Sequence, residues 1–168
     1  MRPPALQDAA AARSAQPAVR VAAVKGLGEL GDAASVPLLV RAVADPRSKE
    51  EAAVALVSLR RLRGEGVDAA IIQGMQAIVS DDAAALIEVL ADREAATAVP
   101  ALLEGAAGPD EPVRKAAFKA LGRLAAPDSL PRLLGLLVAL QGEAGRREAE
   151  QAVVAVAHKL PDAAKQAE

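Results

Sequence analysis

The stretch VRVAAVKGLGELGDAASVPLLVRAV, which begins at Val19, returns as VRKAAFKALGRLAAPDSLPRLLGLL from Val113, with Pro37 and Pro131 at the same place in each. A chain that repeats itself at a period of tens of residues folds as stacked copies of one supersecondary unit. The positions Leu27, Leu30, Val36, Pro37, Leu39 and Val40 serve as a template for further copies. A step of about 32 residues carries it to Leu59, Leu62, Asp68, Ala69, Ile71 and Ile72. Two more steps of about 31 reach Leu90, Arg93, Val99, Pro100, Leu102 and Leu103, then Leu121, Leu124, Leu130, Pro131, Leu133 and Leu134. Four units therefore share one register, and Leu27, Leu59, Leu90 and Leu121 are expected in the core.

Each unit holds two apolar patterns of helical spacing. Val24, Leu27 and Leu30 recur every third residue, and Val36, Leu39, Val40 and Val43 form one stripe. Gly31-Asp32 separates them, with Ser35 as the expected N-cap of the second helix and Pro37 in its first turn. Asp128 and Ser129 in APDSLP are expected to repeat that chemistry. The turns DPRS at Asp45–Ser48 and GPDEP at Gly108–Pro112 separate units. The pattern predicts helix pairs at 17–30/35–44, 48–63/67–79, 82–92/96–107 and 111–125/128–140, with a further helix at 144–160 stopped before Pro161. The whole chain, 1–168, reads as one domain: a half repeat at 1–16, repeats at 17–46, 47–80, 81–109 and 110–141, a terminal half repeat at 142–160 and a tail at 161–168. Half units at both ends suggest weak polar caps or a module of a larger protein.

Composition agrees with this all-α reading. Of the residues 52% are hydrophobic, yet Phe118 is the sole aromatic, so the apolar content is Ala, Leu and Val suited to close helix packing. There is no cysteine, which removes disulfide and thiolate chemistry. No apolar run approaches the roughly 18 residues that span a bilayer, and no secretory h-region opens the chain. The compartment stays open, with the cytoplasm favoured.

The pattern V-R-x-A-A-x-K-x-L-G-x-L followed by V/L-P-x-L resembles the HEAT repeat, in particular the bacterial HEAT-like repeats of the phycobilisome-lyase type. Val19, Arg20, Ala22, Ala23, Lys25, Leu27, Gly28, Leu30 and Pro37 carry it. Val113, Arg114, Ala116, Ala117, Lys119, Leu121, Gly122, Leu124 and Pro131 are their second copies. The second unit departs from it, with Ala69 in place of Pro and Glu51 in place of Val. The resemblance implies a short right-handed α-α superhelix of about four to five helix pairs. Its second helices would line a concave face. It implies no activity, because one fold hosts many functions.

Catalytic chemistry finds little footing. His158 is the only histidine, so two-His metal motifs and Ser-His catalysis within one chain are closed, as are the His-Glu pairs of HEAT-like hydroxylases. Asp81-Asp82 reads as acidic residues favoured by a helix dipole. Gly64–Gly66 and Gly26–Gly28 lack the context of phosphate loops, and Gly28 and Gly122 are read as points of close helix approach. Phe118 occupies a core position, so the aromatic pocket of HEAT-like DNA glycosylases is missing. The expectation is a non-enzymatic protein- or peptide-binding scaffold without cofactor or metal, monomeric or part of a larger chain. Its face would comprise the outward second-helix residues Leu38, Arg41, Gln73, Glu104 and Arg132, beside Ala70, Ala101 and Gly135.

Two alternatives compete. Arg60, Arg61 and Arg63, then Arg114, Lys115, Lys119, Arg123 and Arg132, then Arg146 and Arg147, offer a basic ridge for nucleic acid. The formal net charge of −2 and the interrupting Glu88, Asp92 and Glu94 make nucleic acid the lesser partner. An accessory role to a lyase-type enzyme follows from the resemblance alone. Finally, Glu29, Arg61, Asp92 and Arg123 alternate in sign at one repeat position, which predicts a column of ion pairs between stacked first helices.

Overall fold

The apolar stripes, bounded by Pro and Gly, produce helices at nearly all the expected places in the structure, a computed structural model that describes residues 11–78, 80–140 and 145–160. In chain order these are α1 Pro17–Leu30, α2 Val36–Ala44, α3 Lys49–Arg61, α4 Val67–Gln76, α5 Ser80–Asp92, α6 Val99–Ala107, α7 Glu111–Leu124, α8 Leu130–Ala139 and α9 Arg146–Ala157. No strand occurs among the described residues. The expected start of the last helix at 144, its stop at Pro161, the tail at 161–168 and most of the half repeat at 1–16 lie outside the described residues.

Proline sets the second-helix starts. Pro37, Pro100 and Pro131 are the second residues of α2, α6 and α8, where a missing N–H breaks no intrahelical bond. Each of these helices is preceded by one turn of 3₁₀ helix, Ala33–Ser35, Ala96–Ala98 and Pro127–Ser129. Ser35 does not cap α2 as expected. Its hydroxyl accepts from the Asp32 N–H (3.4 Å), while Asp32 accepts from the Ala34 N–H (3.0 Å), so the pair braces the 3₁₀ turn. Asp128 and Ser129 do not repeat this; the Ser129 hydroxyl donates to Asp128 at 3.3 Å.

The second repeat, without proline, solves the same problem differently. Gly66, in the left-handed region at φ +79°, turns the chain directly into α4. The helix begins one residue early, and buried Val67 fills the place that the template gave to Asp68. Leu30 also departs from expectation. It is 60% exposed, whereas Leu62 is fully buried. α1 is still helical at Leu30, but α3 ends at Arg61 and leaves Leu62 in extended backbone (ψ 130°), which turns its side chain inward.

The chain divides into two compact units, Met1–Arg93 and Glu94–Glu168. In the first, α1 packs on α3 and α3 on α5 as one layer, and α2 packs on α4 as the other. Leu27, Leu39, Leu59, Ile71, Leu86 and Leu90 are fully buried between them. In the second unit α7 packs on α9, with α6 on α7 and α8 on α9. Phe118, Leu121, Leu102 and Leu133 form its core. The four template leucines are thus all buried, as their shared position requires.

Gly28 is where α1 and α3 meet most closely. A Cβ there would lie 2.5 Å from the Ser58 Cβ and 2.6 Å from the Ser58 Cα. The approach lets the buried Ser58 hydroxyl donate to the Val24 carbonyl at 2.9 Å. Gly122 serves α7 and α9 more loosely, its Cβ position 3.3 Å from the Ala152 Cα. Gly28→Ala should therefore cost about 1–3 kcal/mol, because a helix backbone must move, and Gly122→Ala should cost less. Urea melts of both variants check the order; a neutral Gly28→Ala would mean that the two helices do not touch there.

Candidate functional site

α2 turns Val36, Leu39, Val40 and Val43 inward, so its other side must present Leu38 and Arg41. Asp45 ends the helix and Arg47 follows in the turn to α3. Together with Arg13, ahead of α1, these side chains line a groove of about 250 Å³. Arg13, Arg41 and Arg47 are all exposed. Arg41 lies in the last turn of α2, where a cation meets the negative end of the helix dipole. Glu51 also reaches the groove, but its carboxylate is turned to Arg20.

Arg20 and Glu51 are 3% and 5% exposed, and the Arg20 Nε donates to the Glu51 Oε2 at 3.1 Å. The Arg20 Nη1 donates to the carbonyls of Ser14 (3.0 Å) and Ala15 (3.1 Å). The same repeat position acts alike elsewhere. Arg114 Nη1 donates to the carbonyls of Gly108 and Pro109 in the turn that precedes its own helix, and Arg146 Nη2 to that of Leu140 at the end of α8. Gly145 stands where the second repeat has Glu51, and the Arg114 Nε beside it is buried without a hydrogen-bond partner. A second device closes helix C-termini. Arg93 donates to the carbonyls of Leu59 (2.9 Å) and Leu62 (2.7 Å) at the end of α3 while pairing with Asp68 at 2.6 Å. Lys159 donates to the carbonyls of Arg123 and Ala125 at the end of α7.

The expected second-helix residues are mostly free of the core. Leu38 is half-buried, and Arg41, Gln73, Glu104 and Arg132 are exposed. Leu38 and Arg41 share the groove; Gln73, on α4 of the same unit, does not line it. In the second unit Leu134 and Val138 on α8 are also exposed, at 44% and 85%, so Leu134 departs from the inward position that the template gave it. The sequence reading missed Arg13 and Arg47. Both lie outside the helical register, in segments that periodicity does not describe.

The basic ridge is largely engaged within the protein. Lys115 bonds Glu111 one turn earlier on α7, which holds the Glu111 carboxyl below its ordinary range and raises the Lys115 ammonium above its own. Arg114 faces carbonyls, and Lys119 and Arg123 also have partners. Arg61 does not take the place expected of it in the charge column. Asp92 pairs with Arg60 at 2.8 Å, not with Arg61. Among the described residues Arg61 forms no ion pair, and lines with Glu29 a shallow apolar groove between α1 and α3. The phase of α3 turns Arg60, one residue earlier, toward α5. His158 is exposed just past α9, and Asp81 and Asp82 open α5 as expected. No helix among the described residues is long and apolar enough to cross a membrane.

Two layers of paired helices, each second helix opened by proline or glycine, accompany a sequence match. The family model described as HEAT repeats matches residues 71–154. The chain belongs to the HEAT-repeat family. A second model, described as the PBS lyase HEAT-like repeat, matches residues 19–45, which cover most of α1 and all of α2. No curated protein matches the chain. HEAT repeats generally serve as scaffolds and protein-interaction modules, and this HEAT-repeat protein has an all-α fold consistent with that class.

Proposed function

We propose that this HEAT-repeat protein is a non-enzymatic module that binds a protein or peptide on the exposed sides of its second helices. In the first unit Leu38 and Arg41 on α2 are the anchor, with Gln73 on α4; in the second unit Glu104 on α6 and Arg132 on α8 are the corresponding candidates. The observation that carries the reading is the groove beside α2. It brings an apolar side chain and several exposed arginines together where the inward stripe has already satisfied the core. Exposed arginine beside apolar surface is the residue chemistry of protein interfaces.

An unbiased array of short peptides tests it. Enriched peptides should lose affinity for the Leu38→Glu/Arg41→Glu variant and keep it for Arg147→Glu, an exposed change on α9. Enrichment that ignores every second-helix substitution would contradict the reading.

The match of residues 19–45 to the PBS lyase HEAT-like repeat favours one second reading, an accessory role beside a lyase-type enzyme. A chromophore co-purifying with the chain would support it. The ridge offers nucleic acid little, because Arg60, Arg114, Lys115, Lys119 and Arg123 already have partners within the protein.

A further inference from the structure

Resting on the reading above, we propose that the groove bounded by Arg13, Arg41 and Arg47 receives a carboxylate-rich peptide segment of the partner. Among the described residues none of these three arginines forms an ion pair. Of the two acids that line the groove, Glu51 is held by buried Arg20, which leaves Asp45 alone to face three guanidinium groups. This local excess of positive charge stands in a protein whose formal net charge is −2, so it is not a reflection of the whole surface. Elsewhere in the same unit Arg20 pairs with Glu51, Arg60 with Asp92 and Arg93 with Asp68, whereas Arg61 stands alone and not in a group of three around one groove.

Like charges lining one groove repel, and an incoming anion relieves that repulsion. The planar fork of arginine matches a carboxylate with two parallel hydrogen bonds. Leu38 adds an apolar wall at the same place, so the matching segment carries Glu or Asp around a leucine-sized side chain. A peptide fits better than a nucleic acid. The groove has an apolar wall at Leu38, and the single aromatic, Phe118, is buried and offers no base-stacking surface.

The test titrates the whole chain into a fluorescein-labelled Glu-Glu-Leu-Glu-Glu-Leu peptide and follows anisotropy. The expected result is saturable binding that weakens as salt rises. Arg41→Glu and, independently, Arg47→Glu should each lower affinity about tenfold or more, as loss of a charge-assisted bond does. Both positions are exposed, so Arg47→Glu should melt like the parent, and Arg41→Glu only slightly below it, because it puts an anion at the negative end of α2. The Gln-Gln-Leu-Gln-Gln-Leu peptide should not bind, and Arg147→Glu should leave the affinity unchanged. The proposal is overturned if there is no saturable binding, if the glutamine peptide binds equally, if Arg147→Glu weakens binding as much as Arg41→Glu, or if oligouridylate of equal charge binds more tightly. If the unbiased array instead enriches neutral or basic peptides that still depend on Leu38 and Arg41, this proposal fails while the module reading stands.

Discussion

Replacing Glu51 with alanine should destabilise the protein by about 3–5 kcal/mol, as removal of one partner from a buried ion pair does. Glu51 sits in the first turn of α3 and Arg20 in the first turn of α1, and both are almost wholly sealed from water. The guanidinium has its Nη1 on two carbonyls and its Nε on the Glu51 carboxylate. Without that carboxylate a full positive charge would remain in the interior with only neutral acceptors. The pair as a whole is not the source of stability, because desolvating both ions roughly offsets their attraction. A double replacement, Arg20→Met with Glu51→Met, should therefore recover much of the loss. Urea unfolding monitored by circular dichroism measures both. A single-variant loss below about 1 kcal/mol, the range of an exposed pair, would mean that the two charges reach solvent.

Leu90→Ala should cost about 2–5 kcal/mol, the range for truncating a core leucine. Leu90 lies on α5 with no exposure and holds the repeat position of Leu27 on α1 and Leu59 on α3. In a stack each such leucine fills space that its neighbours also bound, so the cavity left behind cannot close by a local shift. Equivalent truncations at Leu27 and Leu59 should fall in the same range. A loss below about 0.5 kcal/mol at Leu90, typical of a surface change, would show that the repeat register is misplaced.

What could be read from the residues was what proline, glycine and apolar spacing dictate locally. Pro37, Pro100 and Pro131 mark the second helices because their missing N–H is tolerated only in a first turn. Gly28 announced a close approach because no other residue leaves room for the Ser58 backbone. What could not be read depends on neighbours distant in sequence. Glu51 in place of Val looked like decay of the repeat, yet it is the partner of Arg20 across α1 and α3. The available signal was an acid about one repeat period after an arginine in the Val-Arg pattern. Arg61 fell out of the expected ion-pair column for a related reason: adjacent helical residues differ by a large turn about the axis, so Arg60 meets Asp92 and Arg61 does not. Of the groove, Leu38 and Arg41 followed from the phase of α2, whereas Arg13 and Arg47 sit in non-periodic segments.

If the module binds as proposed, the second helices, not the first, meet the partner. Amide chemical-shift mapping with an array-selected peptide tests it most directly. Perturbed amides should cluster at Leu38, Arg41 and Asp45 along α2 and at Gln73 on α4. Shifts confined to the exposed sides of α1, α3 and α7, with α2 and α4 unchanged, would contradict it.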